Sequence, residues 1–396
     1  MTERLYGISD FYDIAAGAAI FASGGGGSYQ DAITILDALA DSGWEGSVPV
    51  RDYDGVTDAC VLAIMGSPDA ADAMTLDDVQ RSILNTLNAY TAATDIAPTC
   101  AIPVEIGPIN SLVPLIAAAM GDTSVAWVVN GDGAGRAVPE LPQTTFGGAT
   151  DLAVSPCVLA DDTDDAGAIQ SVVLNAPDAA RAETLAGGAV SAFGSFSGIA
   201  LWPSNESNDY ALSGNYIPDT LEQTRALGAF LSAAETPPST AEVASFIAEL
   251  TGRVTTPLVT NFYITSVTQS TTSASLDTGI IRLDNSAAPH DSTETHYIYN
   301  LNENLIMYSS LSTAPDAIAP DSICYYSENT GAGFSNAMDD LALYFDASTG
   351  QSTGRCVSVI KIAAEEALYE APGVVSSFAG LLREIGYAGA MPYPAT

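Results

Sequence analysis

In the first third of the chain, short uninterrupted apolar runs alternate with segments whose apolar residues recur at helical spacing. Cys60 to Met65 is a continuous apolar run ending at Gly66-Ser67-Pro68, which reads as a buried strand. "CAIPVEIG" from Cys100 and "SVAWVV" from Ser124 read as second and third strands. Ahead of them, "SYQDAITILDALA" sets Ala32, Ile35, Leu36 and Leu39 on one face, with Ser28 as N-cap and Asp31 near the positive end of the helix. "TLDDVQRSILNTLNAY" does the same with Val79, Ile83, Leu84 and Leu87 behind Thr75, and "SLVPLIAAAM" reads as a helix with an early proline. Strands that are apolar throughout are buried on both faces, so a parallel sheet covered by helices is expected.

Beyond an acidic, linker-like run from Ala160 to Gly167 the order is less regular. "IPDTLEQTRALGAFLSAA" predicts a helix capped by Asp219 with Glu222 completing a capping box. From about Arg253 the composition turns to Thr, Ser, Tyr and Ile, with strands expected at "LVTNFYITSV", "GIIRL", "HYIYNL", "NLIMYSS", "SICYY", "LALYF" and "CVSVIKI". A last helix, "VVSSFAGLLREIG", apposes Val374, Phe378, Leu381 and Ile385. The expected fold class is α/β: an N-terminal parallel-sheet α/β domain over residues 1–165, then a C-terminal domain over 166–396 that is mainly β from about 253 to 362.

Composition changes the picture mainly by exclusion. Against 48 acids stand 11 bases, a formal charge of -37, and Lys361 is the only lysine. Neither phosphate neutralisation nor a basic face is available, which excludes nucleic acid and anionic membrane as partners. The charge fits a saline habitat or an assembly that shelters neutral surface, and a homo-oligomer is expected. Five cysteines are scattered without metal-ligand spacing, and the N-terminus lacks the apolar core of a secretory signal, so a reduced cytoplasmic protein is expected, with an extracellular assembly as the alternative.

In an open parallel sheet, ligands bind beyond the carboxyl ends of the strands. Three loops lie there: the one after Met65, "EIGPINS" from Glu105, and "NGDGAGRAVPEL" from Asn130. In the last, glycines free the backbone around Asp132, and Arg136 is a rare cation that either braces Asp132 or meets an anionic ligand. Glu105, flanked by apolar residues, is a general base or a cap for the helix near Ser111. The four glycines Gly24 to Gly27 precede a helix N-terminus, an arrangement that either turns the chain or holds an anionic or carbonyl group through N–H donors. Neither a P-loop nor GxGxxG is met. His290 and His296 read as loop and strand residues. Asp132, Glu105 and Glu140 are the oxygen donors open to a divalent metal, though no spacing demands one.

Taken together, "AAGAAIFASGGGGSY", "IPVEIGPINS", "NGDGAGRAVPEL", "NLNENLI", "PDAIAPDSI" and "IGYAGAMPY" resemble the ordered signature of the S-methyl thiohydantoin desulfurase family, whose members sit beside or are fused to hydantoinase/oxoprolinase proteins. The resemblance runs from about Asp13 to Pro394. It implies an N-terminal α/β domain, a β-rich C-terminal domain, and hydrolysis of small five-membered cyclic amides or thioamides. By motif it points to Glu105, Asp132, Arg136 and Glu140 as catalytic and to Gly24, Gly25, Gly26, Gly27, Asn110, Asn302 and Glu303 as substrate-binding. Asn130 stands where the family motif has an acid, and Pro108 where it has a second glycine.

Three functions follow as expectations. In a hydrolase of hydantoin-like rings, Glu105 or Asp132 activates water, Arg136 or the glycine amides stabilise developing charge, and Glu140 orients Arg136. The second is a catalytically altered homologue that self-assembles into a filament or tube. The third is a non-catalytic subunit of a hydantoinase-type complex.

Overall fold

The computed structural model describes residues 3–66, 74–165, 167–194, 196–271 and 276–395. The chain opens with β1 (Arg4–Tyr6), α1 (Ile8–Phe21), α2 (Tyr29–Asp41), β2 (Val48–Arg51), β3 (Ala59–Gly66), α3 (Leu76–Thr94), β4 (Cys100–Pro103), α4 (Val113–Met120) and β5 (Trp127–Val129). It continues through β6 (Cys157–Ala160), β7 (Ser171–Leu174), α5 (Ala179–Phe193) and β8 (Phe196–Ser204). These strands form one sheet in the order β1-β2-β5-β4-β3-β8-β6-β7. Its centre, β2-β5-β4-β3, is parallel, and the flanking strands are antiparallel. The division expected at residue 165 falls between β6 and β7, which are paired neighbours in this sheet.

The helix signals act as their chemistry predicts. The Ser28 hydroxyl accepts the Asp31 N–H at 3.1 Å, and the four apolar residues of α2 are buried. Thr75 and Asp78 cap α3 reciprocally, with Thr75 N–H donating to the Asp78 carboxylate at 3.0 Å. Buried side chains from α1 to α4 cover one face of the sheet, and the small residues Ala179, Ala182 and Ala186 let α5 lie close on the other.

The second half comprises α6 (Thr220–Ser232), α7 (Thr240–Thr251), β9 (Thr255–Thr271), β10 (Asp277–Asp284), β11 (Thr295–Leu301), β12 (Glu303–Ser309), β13 (Pro315–Ile318), β14 (Ser322–Tyr326), β15 (Val357–Ile362) and α8 (Val374–Glu384). Its sheet is antiparallel and curled, in the order β13-β12-β11-β10-β9-β15-β14. β9 is long enough to pair with β10 along one edge and β15 along the other.

Two local expectations are corrected. "LALYF" is not a continuous strand: Met338–Leu341 is a single helical turn, a turn follows, and Phe345 begins a two-residue strand, Phe345–Asp346, paired with Gln351–Ser352, with Leu341, Tyr344 and Phe345 buried. Asp219 does not cap α6 with its side chain, because it sits in the left-handed region at φ 65°. Asn130 takes that role, its Oδ1 accepting the Glu222 N–H at 3.0 Å and its Nδ2 donating to Asp219 at 2.8 Å. Glu222 is thereby left to bind Arg225. Among the described residues no helix is long and apolar enough to cross a membrane.

Candidate active site

The two halves meet at the carboxyl ends of the parallel strands. There the glycine segment after α1 is threaded between the loop after β4 and the tight β11–β12 turn. Asn304 N–H donates to the Ser23 carbonyl at 2.8 Å, Asn336 N–H to the Gly24 carbonyl at 2.8 Å, and Ile109 N–H to the Gly26 carbonyl at 3.0 Å. The glycines answer a steric demand. A Cβ on Gly26 would lie 2.3 Å from the Gly107 Cα, and one on Gly25 1.9 Å from a Glu303 carboxylate oxygen. Gly24, Gly26 and Gly27 also adopt φ of 85°, 68° and 99°.

The helix N-terminus that follows is already occupied. Asp340 presents its carboxylate to the Tyr29 N–H at 3.0 Å and the Gln30 N–H at 3.1 Å, while Ser28 Oγ donates to Asp339 at 2.6 Å. The positive end of α2 thus holds a carboxylate of the protein itself.

Beside the glycines lies a cavity of about 130 Å³. Gly26 and Gly27, Glu105, Asn110, the 138–141 stretch, Asn302 and Glu303 all line it, so the three-loop convergence expected from sequence brings these residues together. The carboxyl end of β3 lines it at Met65 and Gly66; Ser67 and Pro68, in the loop expected there, lie outside the described residues.

Glu105 is buried at the end of β4. Its Oε1 accepts from Asn110 Nδ2 at 2.7 Å and its Oε2 from the Val138 N–H at 2.6 Å, and Asn110 Oδ1 in turn accepts the Ile64 N–H at 3.0 Å. Glu105 is therefore held in one pose from both sides. Burial pushes its carboxyl up to about 7, against the lowering pull of those two donors. Glu303 enters from the β11–β12 turn, where Asn302 takes φ 54° and accepts the Asp277 N–H at 2.7 Å. It is 3% exposed, and its carboxyl is raised well above the ordinary range, first by burial and then by the charge of Glu105. The Gly26 N–H bonds this carboxylate, while Oε2 has no hydrogen-bond partner.

Asp132 and Arg136, expected as a catalytic or bracing pair, are placed elsewhere. Neither lines the cavity, and neither bonds the other. The Asp132 carboxylate accepts the Ala134 and Gly135 N–H groups at 2.8 and 2.9 Å, which closes its own turn. Arg136, fully buried, donates to the carbonyls of Ala137, Asn304, Pro320 and Asp321 at 2.7 to 3.2 Å. It ties the N-terminal loop to the β domain and has no bond to Glu140, which accepts from Gln143 instead. Glu140 does line the cavity, and burial raises its carboxyl.

Two further acids line the cavity that the sequence reading did not single out. Asp31, read only as a helix-end residue, is raised to about 6, chiefly by burial and then by Asp339. Glu183 on α5 is raised to about 8 by burial and accepts the Leu141 N–H at 3.0 Å. The signal for Glu183 was its place beside an alanine face in a segment with a capping Asp178. Of the acids considered for a metal, Glu105 and Glu140 share the cavity and Asp132 does not, so the three do not form one ligand set. Among the described residues no group of three or more His, Cys, Asp or Glu is arranged to hold a metal ion.

Family models described as the S-Me-THD-like N-terminal domain and the S-Me-THD-like C-terminal domain match residues 9–171 and 177–375. An X-ray crystal structure of a protein from Chromobacterium violaceum is similar in fold, with a TM-score of 0.79 at 24% identity, covering 100% of this chain and 99% of that one. No curated protein matches.

Proposed function

The chain belongs to the S-Me-THD-like family, and from that premise we propose that it hydrolyses a small five-membered cyclic amide or thioamide of the hydantoin type. The observation that carries this reading is a pair of buried carboxyls, Glu105 and Glu303, that reach one cavity from different halves of the fold and both bind protons more tightly than ordinary acids. Two such groups share protons, so near neutral pH one serves as base while the other remains an acid.

In this mechanism Glu105, fixed by Asn110 and the Val138 N–H, takes a proton from water as the oxygen attacks the ring carbon. Glu303 gives its proton to the ring nitrogen, which makes that carbon more electrophilic. For an S-methyl thioimidate ring the new C–O bond forms, the C–S bond breaks, and methanethiol leaves with the proton Glu105 collected. A ring carbonyl and N–H remain, and the second proton of the attacking water, released as the carbonyl forms, restores the Glu303 acid. Asp132 and Arg136 act as positioning residues that hold the loops forming the walls.

The test is release of methanethiol from S-methyl thiohydantoins by the wild type, Glu105→Gln and Glu303→Gln. General acid–base groups contribute roughly 10²–10⁴-fold each, and each variant is expected to lose that much. Turnover unchanged in both would overturn the assignment.

A further inference from the structure

The charge of the cavity wall says more about the substrate than the pair of catalytic carboxyls does. Five carboxyl groups line it, those of Asp31, Glu105, Glu140, Glu183 and Glu303, and no Lys, Arg or His is among the described lining residues. The sequences of 67–73 and 272–275, which adjoin lining residues, contain no basic residue either. Arg136 is turned away, with its donors spent on backbone carbonyls. Independently of this acidity, Glu303 is almost fully buried, faces the cavity, and has an oxygen without a hydrogen-bond partner.

We infer that the ring enters this cavity as a cation: a cyclic isothiourea, amidine or guanidine carrying a proton, rather than a neutral imide or an anion. The inference rests on the reading of the cavity as the substrate site and adds the charge state of the ligand. Buried carboxylates are costly unless paired, so in the empty cavity they retain protons. An N–H-bearing cation replaces those protons, giving Glu303 the donor its free oxygen lacks and allowing neighbouring acids to ionise together. A neutral ring offers no such exchange, and an anion meets only like charge. The proton on the bound cation is then the one that a neutral ring would draw from Glu303, and it leaves the ring carbon more electrophilic toward water.

The experiment is titration calorimetry on the full chain at neutral pH with three five-membered rings: 2-methylthio-2-imidazoline, protonated under these conditions; imidazolidin-2-one, neutral; and 2-oxoimidazolidine-4-carboxylate, anionic. The cation is expected to bind at least tenfold more tightly than the neutral ring, with a binding enthalpy that differs between phosphate and Tris buffers because protons leave the protein. The anion is expected not to bind. Glu183→Gln and, as a second variant, Asp31→Asn should each weaken the cation by a larger factor than the neutral ring. Equal or tighter binding of the neutral ring, or no proton release with the cation, would overturn the inference. If the cation binds as expected but no hydantoin-like compound is turned over, the proposed hydrolysis fails and the binding inference stands. Turnover with no preference for the cation gives the reverse outcome.

Discussion

The Asp340 carboxylate closes the N-terminus of α2 by accepting the Tyr29 N–H at 3.0 Å, a contact that spans 311 positions of sequence. It joins the β domain to the helix that follows the glycine segment. The same carboxylate accepts from Gln30 and from the Ser335 N–H and hydroxyl. Asp340→Ala should therefore cost about 1–3 kcal/mol of stability in urea unfolding, the penalty for stranding buried donors.

Arg136 should behave as a structural residue. Arg136→Met leaves carbonyls of Ala137, Asn304, Pro320 and Asp321 without their buried donor. At roughly 1–3 kcal/mol per unsatisfied buried group, a loss of about 3 kcal/mol or more is expected. Denaturant titration checks this; a stable variant with slow turnover would instead place the guanidinium in the chemistry.

Gly25 offers a separate handle on Glu303. Its requirement is steric, since a Cβ there would stand 2.4 Å from the Glu303 Cγ as well as 1.9 Å from its oxygen. Gly25→Ala is expected to displace the carboxyl and lower kcat/KM at least tenfold. Steady-state kinetics beside a thermal melt would separate that effect from unfolding.

Stability should fall as pH rises. In the folded chain burial lifts Asp31 to about 6, Glu105 and Asp132 to about 7, and Glu183 to about 8. Unfolded carboxyls titrate at roughly 4, so between about 4 and 8 the folded state binds more protons than the unfolded state. The stabilisation is complete below the unfolded values and is lost as pH passes through the folded ones. Thermal midpoints measured from pH 5 to pH 8 should decrease; a rise would contradict the protonation states assigned to the cavity.

Much of this was legible in the sequence because the signals were local. Ser28 and Thr75 mark their helices through side-chain acceptors three residues from the donors they satisfy. The runs at Cys60 and Cys100 are apolar because helices cover both faces of the sheet. Glu105, Asn110, Asn302 and Glu303 do meet in one cavity. What the sequence could not carry was the destination of side chains whose partners lie far along the chain. Asp340, 311 positions from the Tyr29 N–H it accepts, gave no sign of serving α2, and the helix end that looked open to a ligand was already filled. Asn130 was notable only as a departure from a family motif, yet it caps α6 through the Glu222 N–H. Asp132 and Arg136 were adjacent in a glycine loop, but their burial directs each to backbone groups rather than to the other.

The central claim is that Glu105 and Glu303 exchange protons with substrate in one cavity. The pH dependence of kcat/KM for an S-methyl thiohydantoin tests it most directly in the wild type, Glu105→Gln and Glu303→Gln. The account predicts a rise in rate near pH 7 as Glu105 ionises, a fall at higher pH as Glu303 loses its proton, and disappearance of the first limb in Glu105→Gln and of the second in Glu303→Gln. Profiles of the same shape and height in all three proteins would contradict it.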